Sequence, residues 1–333
     1  MRRPLVPLAL ATAALVLAPA PARSGAAAAV SLPHDPAVGI GEQHAEIFSD
    51  PHFARLGLRR LRYVIGWDAL QTSWQRAEAD AWMGQAQATG AKVLVAFNVS
   101  RTPARKHILP SVAQYRRAFL AFKRRYPFVR EYATWNEANH GSQPTFRRPR
   151  RVARYYDVMR NACPNCTILA ADLLDSSTLP GYVRTVHRRA RREPRIWGLH
   201  NYIDANRFRA SGTRGLLRSV PGRVWFTETG GIVWRKHGPH TIPLAEGPRH
   251  AARALRWLFG LARAHRRVTR VYLYHWSYPR PRTTWDSALI DNRGRPRPAY
   301  RTLRAILRAA AARRARARQP ILRAAAAGRA HAR

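Results

Sequence analysis

The segment that decides the fold is Lys92-Val-Leu-Val-Ala-Phe97, followed by Ser111–Tyr126 and then by Glu131-Tyr-Ala-Thr-Trp135. The first and third pieces are short, mostly apolar runs of strand length. The middle piece is longer and repeats its apolar residues at helical spacing. This order predicts a strand, a helix and a second strand, which is the repeating unit of a parallel sheet.

The same unit recurs along the whole chain. Further predicted strands are Val38–Gly41, Arg60–Trp67, Thr167–Ala171, Arg195–Leu199, Arg223–Thr227 and Arg270–Trp276. Eight strand–helix units predict an α/β fold, a single (β/α)8 TIM barrel. A doubly wound sheet would usually have a glycine-rich phosphate turn after its first strand, and Gly39-Ile-Gly-Glu-Gln-His44 is not such a turn. Because no dinucleotide or phosphate loop appears elsewhere, no cofactor is predicted.

The N-terminal residues 1–29 are predicted to be a secretory signal peptide. Arg2 and Arg3 precede an apolar run from Leu5 to Leu17, and Ala20-Pro-Ala22 offers a cleavage site. An uncleaved membrane anchor is the competing interpretation, but the run is shorter than the ~20 residues of a spanning helix. We therefore expect a secreted or cell-wall-associated protein with no membrane span after cleavage.

The barrel is predicted to span residues 30–311, and residues 312–333 form a basic Ala/Arg-rich tail. The tail has almost nothing to bury, so it is expected to be disordered, and Pro320 should break any helix continuing through it. No second domain is indicated.

Both cysteines lie in Cys163-Pro-Asn-Cys166, between a predicted helix and a predicted strand. In an exported protein a local disulfide is the expected state. A redox motif would be expected at the start of a helix, whereas these cysteines follow one. Free thiols are the other alternative, and zinc would need a second pair of ligands.

The 333 residues include 59 Lys plus Arg against 18 Asp plus Glu, a formal net charge of +41. Such a bias favours polyanionic partners such as nucleic acid. The arginines, however, are spread over every predicted helix, which favours ordinary solvated surfaces encoded by a GC-rich genome. We therefore expect a monomer with weak electrostatic adhesion to anionic cell-surface polymers and no specific nucleic-acid partner.

Two glutamates end predicted strands, although carboxylates are scarce in this chain. Glu137 follows the fourth strand in Trp135-Asn-Glu-Ala-Asn139, and Glu228 ends the seventh in Trp225-Phe-Thr-Glu-Thr-Gly230. Catalytic groups of such barrels lie at the carboxyl ends of the strands, so these two should face each other across the barrel mouth. Cleavage of an acetal needs one protonated and one ionised carboxyl group, and a gap of ~5 Å gives retention of configuration.

Other strand ends carry amides, a histidine and aromatic residues, which suit a ligand rich in hydroxyl groups. Glu42 is predicted to bind substrate or to pair with an arginine. Arg62 is predicted to bind in the site or to hold Glu228 ionised, unless it lies too deep in the barrel. His200 could bind sugar, share a proton with Glu137 or fill the core. The candidate substrate-binding residues are Glu42, Arg62, Asn98, Asn136, His200, Tyr202 and Trp276.

The Asn136-Glu137 pair together with Glu228 resembles clan A of the glycoside hydrolases, with families 39, 5 and 128 the most similar in style. Ala138 stands where proline is common. The resemblance covers about Val38 to Leu307, but only through the order of elements and the strand-end residues.

This resemblance implies a retaining β-glycoside hydrolase that cleaves an oligo- or polysaccharide by double displacement. Glu137 would be the acid/base and Glu228 the nucleophile. By the same likeness, Asn136 would bond the sugar 2-hydroxyl, Tyr202 would orient the nucleophile and Trp276 would form the floor of the subsite.

Three alternatives stay open at this point. The protein could be a non-catalytic carbohydrate- or cell-wall-binding barrel, although it has both acids. It could bind a polyanion through its charge alone. A cation could be held by Glu137, Asp172, His200 and Glu228, although neither His-x-His after the first strand nor His-Glu-x-x-His occurs, so no metal site is predicted.

Overall fold

The computed structural model of the protein describes residues 34–239, 241–277 and 284–330. These residues belong to one unit, Pro33–Arg333. The predicted signal peptide, residues 1–29, lies outside the described residues.

Parallel strands form the main sheet. Its strands are β1 Ala37–Gly41, β2 Arg60–Gly66, β3 Lys92–Asn98, β4 Glu131–Ala133, β5 Thr167–Leu169, β6 Asp172–Leu174, β7 Ile196–His200, β8 Arg223–Thr229 and β10 Val268–Tyr274. Two short strands, β9 Trp234–Arg235 and β11 Trp285–Asp286, pair antiparallel in a separate ribbon.

The main sheet has the order β5-β4-β3-β2-β1-β10-β8-β7-β6. β5 and β6 are two halves of one barrel strand, interrupted at residues 170 and 171. There the Ala170 amide donates to the Ile196 carbonyl at 3.0 Å, and the Gly198 amide donates to the Ala171 carbonyl at 2.9 Å. These bonds bring the two ends of the sheet together, which confirms the predicted (β/α)8 barrel and shows that its fifth strand is split.

Helices surround the sheet. They are α1 Pro51–Ala54, α2 Ser73–Ala88, α3 Val112–Arg125, α4 Pro149–Ala162, α5 Leu179–Arg189, α6 Tyr202–Asn206, α7 Ser211–Ser219, α8 Pro248–Ala264 and α9 Pro298–Ala330. The short helix α6, which directly follows β7, was not predicted from the sequence.

The helix α3 shows how local sequence sets these boundaries. Its first turn is closed by a capping box, in which Ser111 and Gln114 each bond the backbone amide of the other. Tyr115, Phe119 and Phe122 are buried at intervals of three and four residues and pack the helix against the sheet.

Two apolar layers make up the core. The larger layer lies between sheet and helices, and the smaller one fills the barrel with side chains from successive strands, such as Leu94, Ala133, Trp225 and Tyr272. Gly39 on β1 makes room for this filling, because a Cβ there would lie 2.6 Å from the Tyr272 ring. The interior is therefore a packed core and not a pore that could hold a ligand.

The C-terminal segment differs from the prediction. α9 does not end at Ala311 but continues to Ala330, and Pro320 does not end it. Alanine and arginine are among the strongest helix formers, so this composition favours a helix even where little is buried. Arg313 also pairs with Asp35 at 2.7 Å, which ties the start of the predicted tail to the residues before β1.

Cys163 and Cys166 form the predicted disulfide directly after α4. Within the described ranges, no helix combines the length and the hydrophobicity that a membrane crossing requires.

Candidate active site

Arg62 is a fully buried cation at the base of the barrel mouth. One of its terminal nitrogens donates to Glu228 Oε2 at 2.8 Å. The other donates to Asn136 Oδ1 at 2.6 Å and to Asp172 Oδ2 at 2.8 Å. Burial alone would lower the pKa of Arg62, but Asp172 and Glu228 raise it above its ordinary value. A permanently charged, planar group thus fixes side chains from three other parts of the sheet.

This position decides between the predicted roles of Arg62. The guanidinium contacts Glu228, as one of the predictions required. The prediction that Arg62 binds substrate is wrong, because its side chain has no exposed surface. Asp172 follows the predicted fifth strand, so the sequence places it among the strand-end groups at the mouth, but its ion pair with Arg62 is seen only in the structure.

Glu228 lies at the mouth end of β8. The pairing of β7 with β8 shifts register just before His200 pairs with Glu228, which marks an irregularity in the ladder. Besides Arg62, the Tyr202 hydroxyl donates to Glu228 Oε1 at 3.2 Å. Burial and the nearby Glu228 carboxylate raise the pKa of Tyr202 well above its ordinary value, so this hydroxyl keeps its proton and remains a donor. Tyr202 therefore contacts the residue that it was predicted to orient.

Glu137 directly follows the fourth barrel strand, and its backbone adopts the left-handed region with φ of 48°. A residue with a side chain rarely adopts this conformation unless its surroundings hold it there. The residues on either side of Glu137 are fixed by backbone hydrogen bonds. The Asn136 amide donates to the Phe97 carbonyl at 2.7 Å, and the Ala138 amide donates to the Asp172 backbone carbonyl at 2.9 Å. The turn thereby directs the Glu137 carboxyl into the mouth.

His200 lies fully buried between the acids. Its Nδ1 is 3.2 Å from Glu137 Oε1 and 4.0 Å from Glu228 Oε2, and its Nε2 is 3.8 Å from Asp172 Oδ2. Arg62 lies 3.3 Å from the same Nε2. Of the three predicted roles for His200, direct sugar binding is wrong because the ring is not exposed, and its contact with Glu137 fits proton sharing.

The electrostatics of this cluster link His200 to Glu137. Burial alone would lower the pKa of His200, but the carboxylates of Glu228, Asp172 and Glu137 raise it to about 9. Burial alone would raise the pKa of Glu137, but the hydrogen bond from His200 lowers it below its ordinary value. The two groups therefore hold a proton jointly across neutral pH, with the proton on the imidazole side.

The two glutamates meet in one cleft. A carboxylate oxygen of Glu137 and one of Glu228 lie within 4.8 Å of each other. The cleft has a volume of about 640 Å³, and Asn98, Asn136 and Tyr274 also contribute to its walls. Retaining glycoside hydrolases place their carboxyl groups about 5–5.5 Å apart, so this spacing suits direct attack of one carboxylate on an anomeric carbon.

Glu137, His200 and Glu228 also have ligand atoms close enough together to bridge a metal ion. Arg62 opposes that use, because its fixed positive charge contacts Glu228 and lies beside His200. The arrangement therefore favours acid–base and nucleophilic chemistry by the two carboxyl groups.

The prediction for Trp276 is wrong. Its indole is fully buried, donates to Asp50 Oδ2 at 2.8 Å and packs edge-on against Phe53 and Tyr300. The last barrel strand ends at Tyr274, two residues earlier than predicted. Tyr274 therefore lines the cleft together with Tyr63 and Trp82, and it lies there because the strand ends earlier than its apolar run predicts.

Glu42 does not bind substrate either, and no arginine pairs with it among the described residues. Its carboxylate is buried and accepts hydrogen bonds from the backbone amides of Gln43, His44, Trp276 and Ser277. Burial raises its pKa, but the hydrogen bond and charge of His44 outweigh burial and lower it. Glu42 thus ties the loop after β1 to the loop after β10.

Asn98 and Asn136 occupy the predicted places at the cleft. Asn136 accepts from Arg62 through Oδ1, which orients its amide. Asn98 Oδ1 is buried without a hydrogen-bond partner among the described residues, so a donor from a ligand would satisfy it.

Solved structures share this architecture. Xylanase 10B from Thermotoga maritima aligns over 82% of this chain and 95% of its own, with a TM-score of 0.60 and 10% identity. A GH5 subfamily 18 enzyme from Bifidobacterium longum, solved with Manβ1-4GlcNAc, aligns over 81% of this chain and 77% of its own, with a TM-score of 0.58 and 14% identity.

The Rhizomucor miehei β-1,3-glucanosyltransferase, solved with laminaritriose, aligns over 79% of this chain and 96% of its own, with a TM-score of 0.54 and 13% identity. Neither a protein-family model nor a curated protein sequence matches the chain. The resemblance to the barrels of clan A glycoside hydrolases is thus confirmed at the level of the fold.

Proposed function

We propose that the protein is an exported, retaining β-glycoside hydrolase that cleaves O-glycosidic bonds of an oligo- or polysaccharide. The observation that carries the proposal is the convergence of Glu137 and Glu228, whose carboxylate oxygens lie within 4.8 Å in a shared cleft. The fold shared with glycoside hydrolases supports the same chemistry. Export is supported only by the sequence pattern of residues 1–29.

In the first step, Glu228 attacks the anomeric carbon while the leaving oxygen takes a proton from Glu137. Arg62 and Tyr202 hold both oxygens of Glu228 in place before the attack. His200 supplies the proton through its contact with Glu137 Oε1 at 3.2 Å. This preorganisation is the contribution that the buried network makes to the transition state.

In the second step, a water attacks the glycosyl ester of Glu228 and gives its proton to Glu137. Ester formation removes the negative charge of Glu228, which is the largest of the interactions that raise the pKa of His200. The His200–Glu137 pair then holds a proton less tightly than before, which suits its change from acid to base.

The test is Glu228→Ala, assayed on aryl β-glycosides and β-glucans. We expect turnover to fall by at least about 10⁴-fold, because the variant loses the proposed nucleophile that Arg62 and Tyr202 hold in place. Added azide or formate should restore cleavage and give a product of inverted configuration. Glu78→Ala is the matched control, since it removes an exposed carboxylate that also lines the cleft.

Normal turnover by Glu228→Ala would refute the nucleophile assignment. Sugar binding without product release by the unmutated protein would favour a non-catalytic carbohydrate-binding barrel.

A further inference from the structure

A second cleft lies on the outer wall of the barrel, away from the catalytic carboxylates. It encloses about 1060 Å³ between α3, α4 and α5. Seven arginines line it: Arg147, Arg148, Arg150, Arg151, Arg154, Arg189 and Arg191. One acid, Asp157, is among the lining residues.

These arginines are not neutralised by the protein. Within residues 34–239, 241–277 and 284–330, none of the seven forms an ion pair, whereas Arg125 pairs with Asp80 at 2.6 Å and Arg297 pairs with Asp286 at 2.6 Å. Asp157 accepts instead from the backbone amides of Arg191 and Arg192. The cleft therefore concentrates positive charge, seven arginines against the single carboxylate of Asp157, which an outside anion would balance.

The shape of the cleft indicates an elongated ligand. Its lining follows α4 from Arg148 before the first turn to Asn161 in the last turn. At 1.5 Å per residue this distance is about 20 Å along the helix axis. A single phosphate or carboxylate would occupy only one end, so several guanidinium groups along the cleft suit a chain with repeated negative charges.

The remaining lining residues indicate which kind of chain. Leu109, Val112, Pro149 and Val158 provide aliphatic surface between the arginines, and Asn161 provides an amide. Sugar rings have apolar C–H faces and hydroxyls that match these groups, and a uronic acid adds a carboxylate for arginine. Polyphosphate has no apolar face, and single-stranded nucleic acid would need aromatic side chains for its bases, which this lining does not contain.

We propose that the cleft along α4 binds an acidic polysaccharide built from uronic acid units, separately from the catalytic cleft. The proposal gives part of the positive charge of the chain a defined location and a class of ligand, which the amino-acid composition alone does not do. The inference does not depend on the catalytic proposal, because it rests on other residues.

The experiment measures the dissociation constant of the full chain for polygalacturonate at 150 mM NaCl, with neutral dextran as the uncharged comparison. The test variant is Arg150→Gln, Arg154→Gln and Arg189→Gln together. The matched control is Arg249→Gln, Arg253→Gln and Arg256→Gln, which removes equal charge from a smaller groove of about 560 Å³ on α8. All six side chains are exposed, so both variants should fold.

We expect the test variant to weaken polygalacturonate binding by at least about tenfold, and the control by less than about twofold. Cleavage of an aryl glycoside should be unchanged in both. Equal losses in the two variants would overturn the proposal, because net charge would then explain binding. Tighter cleft-dependent binding of duplex DNA, polyphosphate or phosphatidylglycerol vesicles than of polygalacturonate would also overturn it.

Discussion

Arg62 has a positive charge inside the barrel, where its terminal nitrogens contact Glu228, Asn136 and Asp172. Removing one partner of a buried ion pair costs about 3–5 kcal/mol, because the remaining charges lose their compensation. We expect Arg62→Met to lower the free energy of unfolding by about that amount in urea titrations at pH 7. Arg62→Lys should lose less, since it retains the charge but cannot reach three acceptors at once. An unchanged free energy of unfolding in Arg62→Met would show that the network does not stabilise the fold.

In the proposed mechanism, the contact between His200 and Glu137 sets the pH range over which Glu137 delivers a proton. The surrounding carboxylates raise the pKa of His200 to about 9, so the His200–Glu137 pair keeps its proton through neutral pH and loses it as the pH rises through that value. In His200→Gln the proton must be held by Glu137 without the imidazole. We therefore expect the alkaline limb of the kcat/KM profile to move to lower pH by more than about one unit.

Asn98→Ala is the control for this profile, since Asn98 lines the cleft but contacts neither group of the pair. It should weaken substrate binding without moving the limb. An alkaline limb at the same pH in His200→Gln and in the unmutated protein would contradict proton sharing.

The convergence of Glu137 and Glu228 on one cleft could be predicted from single residues, because each glutamate ends an apolar run and few other carboxylates compete. The role of Glu42 could not be predicted in this way. Its position at a strand end is correct, but its partners are backbone amides from a loop more than two hundred residues away. Sequence position alone does not show which donors will surround a carboxylate.

At the scale of elements, the close approach of β7 to its neighbouring strands positions the side chains of the buried network around Arg62. Gly198 on β7 is the clearest case, because a Cβ there would lie 2.0 Å from Asp172 Oδ1 and 2.7 Å from Thr227 Oγ1. We expect Gly198→Ala to destabilise the protein by about 1–3 kcal/mol through overpacking and to lower kcat by moving Asp172 away from Arg62.

Gly84→Ala in α2 is the matched control, since no atom lies within 4 Å of the added Cβ. It should stabilise the helix by about 1 kcal/mol. Thermal unfolding of the two variants should show a lower midpoint for Gly198→Ala and a higher midpoint for Gly84→Ala than for the unmutated protein. A Gly198→Ala protein as stable as the unmutated one would contradict the packing argument.

Most elements could be predicted because their apolar periodicity is strong, as in α3 and β3. The errors lie where tertiary contacts fix the boundary. The last barrel strand was placed two residues too late, which exchanged Tyr274 for Trp276 in the predicted cleft. The helix α6 was missed because it is only five residues long, and Asp175 accepts from its Ile203 and Asp204 amides.

At the scale of the whole molecule, carboxylates are scarce, and most of those that the structure describes accept a hydrogen bond or form an ion pair. Glu137, Asp172 and Glu228 form the buried network at the mouth with Arg62 and His200. Other carboxylates pair with arginines, such as Asp286 with Arg297 and Glu131 with Arg270 at the opposite end of the barrel. Seven arginines line the cleft along α4, and in the part of the chain that the structure describes none of these seven forms an ion pair. The composition shows the excess of positive charge, but the structure is needed to see that several arginines line one cleft along α4.

The central claim is that Glu137 and Glu228 act on the same anomeric carbon by double displacement. Proton NMR of the first product released from a cleaved β-glycoside tests it most directly, if spectra are recorded before the sugar mutarotates. The β-anomer should appear first, with the α-anomer growing later. Release of the α-anomer first would mean that a water attacks directly, and the account of Glu228 as nucleophile would be wrong.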